Sequence, residues 1–257
     1  MRFTTYAVPS RFYRASTSLL PWLWATAALA AAAGLALGLL HAPSDARQGD
    51  ASRILFIHVP AACMSIVVYV AMASWAAVGW LGRVRLASMV ARALAPTGFV
   101  CTVVALVTGA FWARPTWGTW WMWDARLTSE LILLLLYGGY LGLAEAIEDP
   151  RRADRAGALV AIVGAVNVPV IFFAVRWWDA LHPGATVTSG QVPDLTEGML
   201  PATGLVALAF LAWAFAIVFV RLRAIVLERE RDTAWVRALE SAVSADARVR
   251  GMRGATA

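Results

Sequence analysis

At 257 residues the chain is long enough for one or two soluble domains, but 60% of it is hydrophobic and only 15% charged, against roughly half and a quarter in soluble globular domains. No stretch has the composition of such a domain, so lipid is part of this chain's solvent. The formal net charge of +6 does not mark a nucleic-acid binder, because all 22 basic residues are arginines set in short clusters between apolar runs, which is how topology is written into membrane proteins.

A bilayer core of about 30 Å takes roughly 20 apolar residues of helix. Six such runs follow one another, at 19–40, 60–81, 93–113, 127–147, 156–175 and 199–220. The expected fold is therefore all-α, a polytopic bundle of six transmembrane helices, since open sheet edges are not tolerated in hydrocarbon. The first run is longer than the roughly 7–15 apolar residues of a signal peptide and follows 18 other residues, so it reads as a permanent span. The chain divides into an N-terminal segment 1–18, a spanning unit 19–220 and an extension 221–257. Charged residues of both signs at 221–237 predict that the last helix continues beyond the membrane. The small and charged residues after Ser241 predict disorder.

Arginine placement sets the orientation. Seventeen arginines fall on the side that carries both termini and five on the other. By the positive-inside rule the termini are cytoplasmic, and loops 41–59, 114–126 and 176–198 face outward.

All three histidines of the chain, His41, His58 and His182, map to that outward side. His41 directly follows the first span, beside Pro43, and reads as an interfacial loop residue. His58 stands in Phe-Ile-His-Val-Pro-Ala-Ala, two residues before a proline suited to the first turn of a helix. His182 follows Trp177, Trp178 and Asp179 two loops later. A lone apolar-flanked histidine is usually structural, but two neutral imidazoles on either side of a ring suit the axial positions of haem iron. Cys63 and Cys101 lie in apolar runs without any Cys-x-x-Cys spacing and are expected to be buried small hydrophobes.

The second outer loop is the densest feature. Trp117, Trp120, Trp121 and Trp123 crowd into seven positions, with Gly118 inside and Asp124 at the end. A headgroup-level aromatic belt accounts for Trp22, Trp24, Trp75 and Trp80, and explains this cluster poorly. If the loop is helical, Trp117, Trp120, Trp121 and Asp124 share one face by i, i+3, i+4, i+7 spacing, a platform for a large planar ligand. Plain interfacial anchoring remains the other reading. Arg126 and Arg176 border the two tryptophan clusters and either pair with ligand carboxylates or snorkel from the helix ends. Asp124 either caps the fourth span or orients a ligand. Glu130 lies about two turns further along the same helix, where the helix terminus partly offsets its charge. No Walker A loop, Gly-x-Ser-x-Gly or His-Glu-x-x-His occurs, so energy input is expected from a partner.

These residues carry a resemblance. Trp-Gly-Thr-Trp-Trp-Met-Trp-Asp at 117–124, continuing Ala-Arg-Leu-Thr-Ser-Glu-Leu to 131, looks like the WWD signature of haem-handling membrane proteins. The segments around His58 and His182 resemble the two outer histidine segments of the haem exporter protein C family (CcmC) of cytochrome c maturation. The resemblance runs to about Val220. It implies haem b held non-covalently at the periplasmic face of the bacterial inner membrane, with His58 and His182 as axial ligands. Trp117, Gly118, Trp120, Trp123 and Asp124 form the signature, and Trp121 accompanies them. It further implies presentation of the haem to the chaperone CcmE, in company with CcmD and the ABC-type pair CcmA and CcmB, by a transfer component rather than a catalyst. Two alternatives stand beside it. One is a b-type membrane cytochrome, which buries its histidines deep in helices; the other is a lyase component of the CcmF or CcsA kind, which has more spans and histidines than are found here. A channel or transporter predicts ionisable residues near the midplane, and the spans offer few.

Overall fold

The computed structural model describes residues 9–43, 48–177 and 199–242, and the side chains of 174–177 lie outside that description. Its elements are helical throughout the described residues. They are α1 Pro9–Ala36, α2 Leu55–Leu81, α3 Arg85–Trp117, α4 Ala125–Ala146, α5 Pro150–Gly164, α6 Asn167–Trp177 and α7 Met199–Arg229. A π-helical turn Leu37–His41 extends α1, and a 3₁₀ turn Asp50–Ile54 leads into α2. Among the described residues six stretches are long and apolar enough to cross a membrane, α5 and α6 together supplying the fifth. The chain is a multi-pass helical membrane protein.

Lipid rather than water decides what the outer surface carries. Trp22, Leu29, Leu40 and Leu135 are largely exposed although strongly apolar. Cys63 also lies on this surface, whereas Cys101 is buried. The expectation that both cysteines are buried thus fails for Cys63, because an apolar neighbourhood does not separate bundle interior from lipid face.

Between helices, close packing replaces hydrophobic sorting. Tyr69 of α2 and Tyr137 of α4 meet edge to face with centroids 5.0 Å apart. Tyr137 is seated against Gly98 of α3, where an added Cβ would collide with the phenol, and Gly164 of α5 makes the same room for Tyr69. Around them Met72, Leu133, Ala158, Ala161 and Ile171 complete the central core.

The fifth span is not one helix. Pro169 lacks the amide hydrogen that would bond the carbonyl of Ala165, and its ring crowds that carbonyl. The helix therefore breaks at Ala165–Val166 and restarts as α6. Asn167 takes up the break by donating from Nδ2 to the Ser129 carbonyl of α4 at 2.8 Å. At the start of α5, Pro150 follows Asp149, whose carboxylate accepts from the Arg152 amide at 2.8 Å. That bond holds the Asp149 carboxyl below its ordinary range.

α7 runs to Arg229, turns, and gives way to a further helical stretch at 234–242. Trp235 there packs on a cluster of Phe12, Met89, Leu222 and Val226. The segment after 242 lies outside the described residues. Alternation of the spans gathers the starts of α2, α4 and α7 at one end of the bundle. Ala42, Phe56, Met199 and Ala202 form a shared cluster there.

Candidate functional site

At that end the site is built on His58, which lies in the first turn of α2 and leans against α3. Its Nδ1 is 3.0 Å from the Ala105 carbonyl and 3.1 Å from Thr108 Oγ1. A carbonyl only accepts, so Nδ1 carries the proton. Thr108 can receive part of the same bond because its own hydroxyl donates to the Val104 carbonyl at 2.6 Å. In the neutral imidazole this leaves the lone pair on Nε2, the arrangement in which a histidine ligates a metal through one nitrogen while the other is fixed by a backbone acceptor.

Gly109 lets the ring come this close. A Cβ at that position would stand 3.1 Å from His58 Cε1, tighter than ordinary contact. Trp112 closes the same side, edge to face with the imidazole at 5.6 Å. Its indole nitrogen donates to Gln48 Oε1 at 2.8 Å, tying α3 to the loop before α2. Ala105, Thr108, Gly109 and Trp112 are spaced i, i+3, i+4, i+7 and form one face of α3. In the sequence the only mark of that face is its periodicity.

The tryptophan loop follows directly. α3 ends at Trp117 because Gly118 takes a left-handed conformation, φ 79°, with its amide bonded to the Arg114 carbonyl at 3.0 Å. Nothing lies within 4 Å of where its Cβ would be, so glycine is needed here for conformation rather than space. Arg114 also donates to the Gly118 carbonyl.

Residues 118–124 are not helical, so the expected single face of Trp117, Trp120, Trp121 and Asp124 does not form. The glycine cap interrupts the periodicity between the first tryptophan and the rest. Two edge-to-face pairs stand in its place, Phe111 with Trp120 at 5.5 Å and Trp121 with Trp123 at 5.4 Å. Trp120 and Trp123 are 53% and 76% exposed, whereas Trp117 and Trp121 are half-buried. The Trp121 indole nitrogen is buried without a hydrogen-bond partner among the described residues.

Asp124 caps α4. Its Oδ1 accepts from the Leu127 amide at 2.7 Å with extended backbone at the cap. Arg126, partly buried two residues on, has Glu130 and Asp124 within Coulombic reach, and its guanidinium makes no ion pair within 4.0 Å among the described residues. Glu130 is buried with Oε1 2.8 Å from Ser65 Oγ, a hydroxyl that also lies 2.7 Å from the Ala62 carbonyl, while the Ser65 carbonyl accepts from Tyr137 at 2.8 Å. This buried clamp joins α2 to α4 two turns below His58.

Outside this group, His41 turns back on its own helix, Nδ1 3.3 Å from the Ala36 carbonyl. Arg53 is engaged by Asp50 and by the Gly38 and Leu39 carbonyls at the end of α1. Arg176 lies in α6, and its side chain, like the whole of His182, is outside the described residues. The structure thus brings together His58, Trp112, the loop 117–124 and Arg126 at one end of the bundle.

Fold and site define a class: a six-span helical membrane protein with an imidazole braced beside an indole-rich loop. The family model described as heme exporter protein C matches residues 2–237. Heme exporter protein C of Escherichia coli K12 is 38% identical over 230 residues, 90% of this chain and 93% of that protein. Its counterpart in Haemophilus influenzae is 38% identical over 234 residues, 91% and 95% of the two chains, and that of Bradyrhizobium diazoefficiens 41% identical over 242 residues, 93% and 89%. The chain belongs to the haem exporter protein C family.

Proposed function

We propose that the protein takes part in haem export for cytochrome c maturation by holding haem b non-covalently at the tryptophan-loop end and presenting it to the chaperone CcmE. The observation that carries this reading is the bracing of His58 Nδ1 by the Ala105 carbonyl and Thr108 beside the tryptophan loop. A structural histidine would also satisfy its Nδ1 proton in this way, but backbone bracing of one nitrogen is in addition what an axial ligand needs to keep its other nitrogen basic and oriented. In this reading His182 is the second axial ligand, and the indoles of Trp120, Trp121 and Trp123 stack on the apolar part of the porphyrin. Arg126, together with Arg176, pairs with propionates, which suits the bidentate geometry of a guanidinium.

Exposure of Trp120 and Trp123 supports handover to another protein, since covering them would release apolar surface from water. His58 stands in the first turn of its helix rather than in mid-span, which favours presentation over the electron storage of a b-type cytochrome. The reading places the site at the periplasmic face of the inner membrane, both termini in the cytoplasm, with CcmD, CcmA and CcmB as companions.

The test is transfer. Haem-loaded wild-type protein is mixed with purified CcmE, and haem bound to the chaperone is measured against the Trp120→Ala, Trp121→Ala double variant. Slower or smaller transfer from the double variant is expected. Equal transfer would reduce the loop to interfacial anchoring.

A further inference from the structure

The opposite end of the bundle holds a second site, independent of the haem reading. A cavity of about 670 Å³ lies among the end of α2, the start of α3 and the start of α5. Arg83, Arg85, Arg151 and Arg155 line it. None of the four makes an ion pair within 4.0 Å among the described residues, although Arg151 lies within Coulombic reach of exposed Asp149. The one carboxylate in the wall, Asp154, is already taken. It receives both guanidinium nitrogens of Arg229, at 2.6 and 2.8 Å.

Four guanidiniums around one hollow without a balancing carboxylate repel one another unless an anion joins them. The backbone adds two further features, of which the first contributes to the positive field. α3 begins at Arg85 without a side-chain cap, leaving its first amides to other acceptors. Arg83 takes a left-handed backbone, φ 53°, a conformation that costs a side-chain-bearing residue about 1–2 kcal/mol. A topology signal requires arginines on this side of the membrane, but it does not require them to converge on a cavity.

The rest of the wall identifies the kind of anion. Trp80 and Leu81, the last residues of α2, also line the cavity and are 41% and 75% exposed. They belong to a membrane-spanning stretch, so the basic hollow adjoins hydrocarbon. The geometry points to a binding site for the phosphate headgroup of an anionic phospholipid, with its acyl chains lying along Trp80 and Leu81. Basic pockets between helices at the arginine-rich face are suited to such headgroups.

The experiment uses the full chain in nanodiscs of phosphatidylcholine with increasing phosphatidylglycerol, and native mass spectrometry to count retained lipid. Wild-type protein should retain phosphatidylglycerol and not phosphatidylcholine. Arg83→Gln with Arg155→Gln should weaken retention by about tenfold or more. The control pair Arg152→Gln with Arg221→Gln removes the same charge from exposed positions outside the cavity and should retain the lipid. If the first pair does not fold, Arg85→Gln with Arg151→Gln is read in its place. Equal loss in the control, or no loss in the cavity variants, would overturn the site. Displacement of the lipid by millimolar inorganic phosphate would overturn its assignment to a lipid headgroup.

Discussion

His58 is held in a way that makes each of its neighbours testable. Thr108 and the Ala105 carbonyl fix the proton on Nδ1. Replacing Thr108 by Val keeps the shape and removes one acceptor. Partners of this kind typically contribute 10–100-fold to metal affinity, so Thr108→Val should lower haem affinity by about tenfold, read by titration of the purified protein. Gly109→Ala acts by another route. Its Cβ would press on the imidazole at 3.1 Å, and ring displacement should weaken haem binding while thermal stability in detergent changes little. Unchanged affinity in both variants would mean that the His58 environment serves packing alone. Neither residue stands out in the amino-acid sequence, since a threonine and a glycine in an apolar helix are ordinary. Only the register that turns them toward His58 gives them a role.

Among the elements, α4 carries two separable interactions. Asp124 caps it through Oδ1, so Asp124→Ala should cost about 1 kcal/mol of stability, measured by unfolding in detergent. Asp124→Asn keeps a good cap and should stay near wild type in stability. A loss of haem loading in the Asn variant at full stability would instead assign the carboxylate a direct part in the ligand site. Two turns along, Ser65→Ala would leave buried Glu130 without the 2.8 Å bond to Oε1. An unsatisfied buried group of this type costs about 1–3 kcal/mol, and a melting temperature equal to wild type would contradict the clamp between α2 and α4.

Element boundaries also mark what could be read beforehand. The six apolar runs predict the spans because length and apolarity alone decide them. The glycine cap at Gly118 and the break before Pro169 were less legible, although both have local causes. A helical reading of the tryptophan loop counted spacing through a glycine that takes φ 79°. A single fifth span overlooked a proline four residues beyond a carbonyl it cannot satisfy.

For the molecule as a whole, one end is aromatic and histidine-bearing, and the other is rich in arginine. That polarity was plain in the linear pattern, because composition changes from loop to loop, and it predicts that a reporter at 119–123 is reached from outside the cell membrane while reporters at both termini are not. The cavity beneath Arg83 and Arg155 was hidden, since clustered arginines look alike whether they converge or diverge. His58 and His182 acting together at the outward end are the centre of the proposed haem site. Absorption spectra of the purified protein test this directly. Wild type should carry haem with the low-spin spectrum of two nitrogen axial ligands, each single variant to Ala should lose most of it, and the His58→Ala, His182→Ala double variant should lose it entirely. A double variant that keeps the wild-type spectrum and haem content would contradict the account.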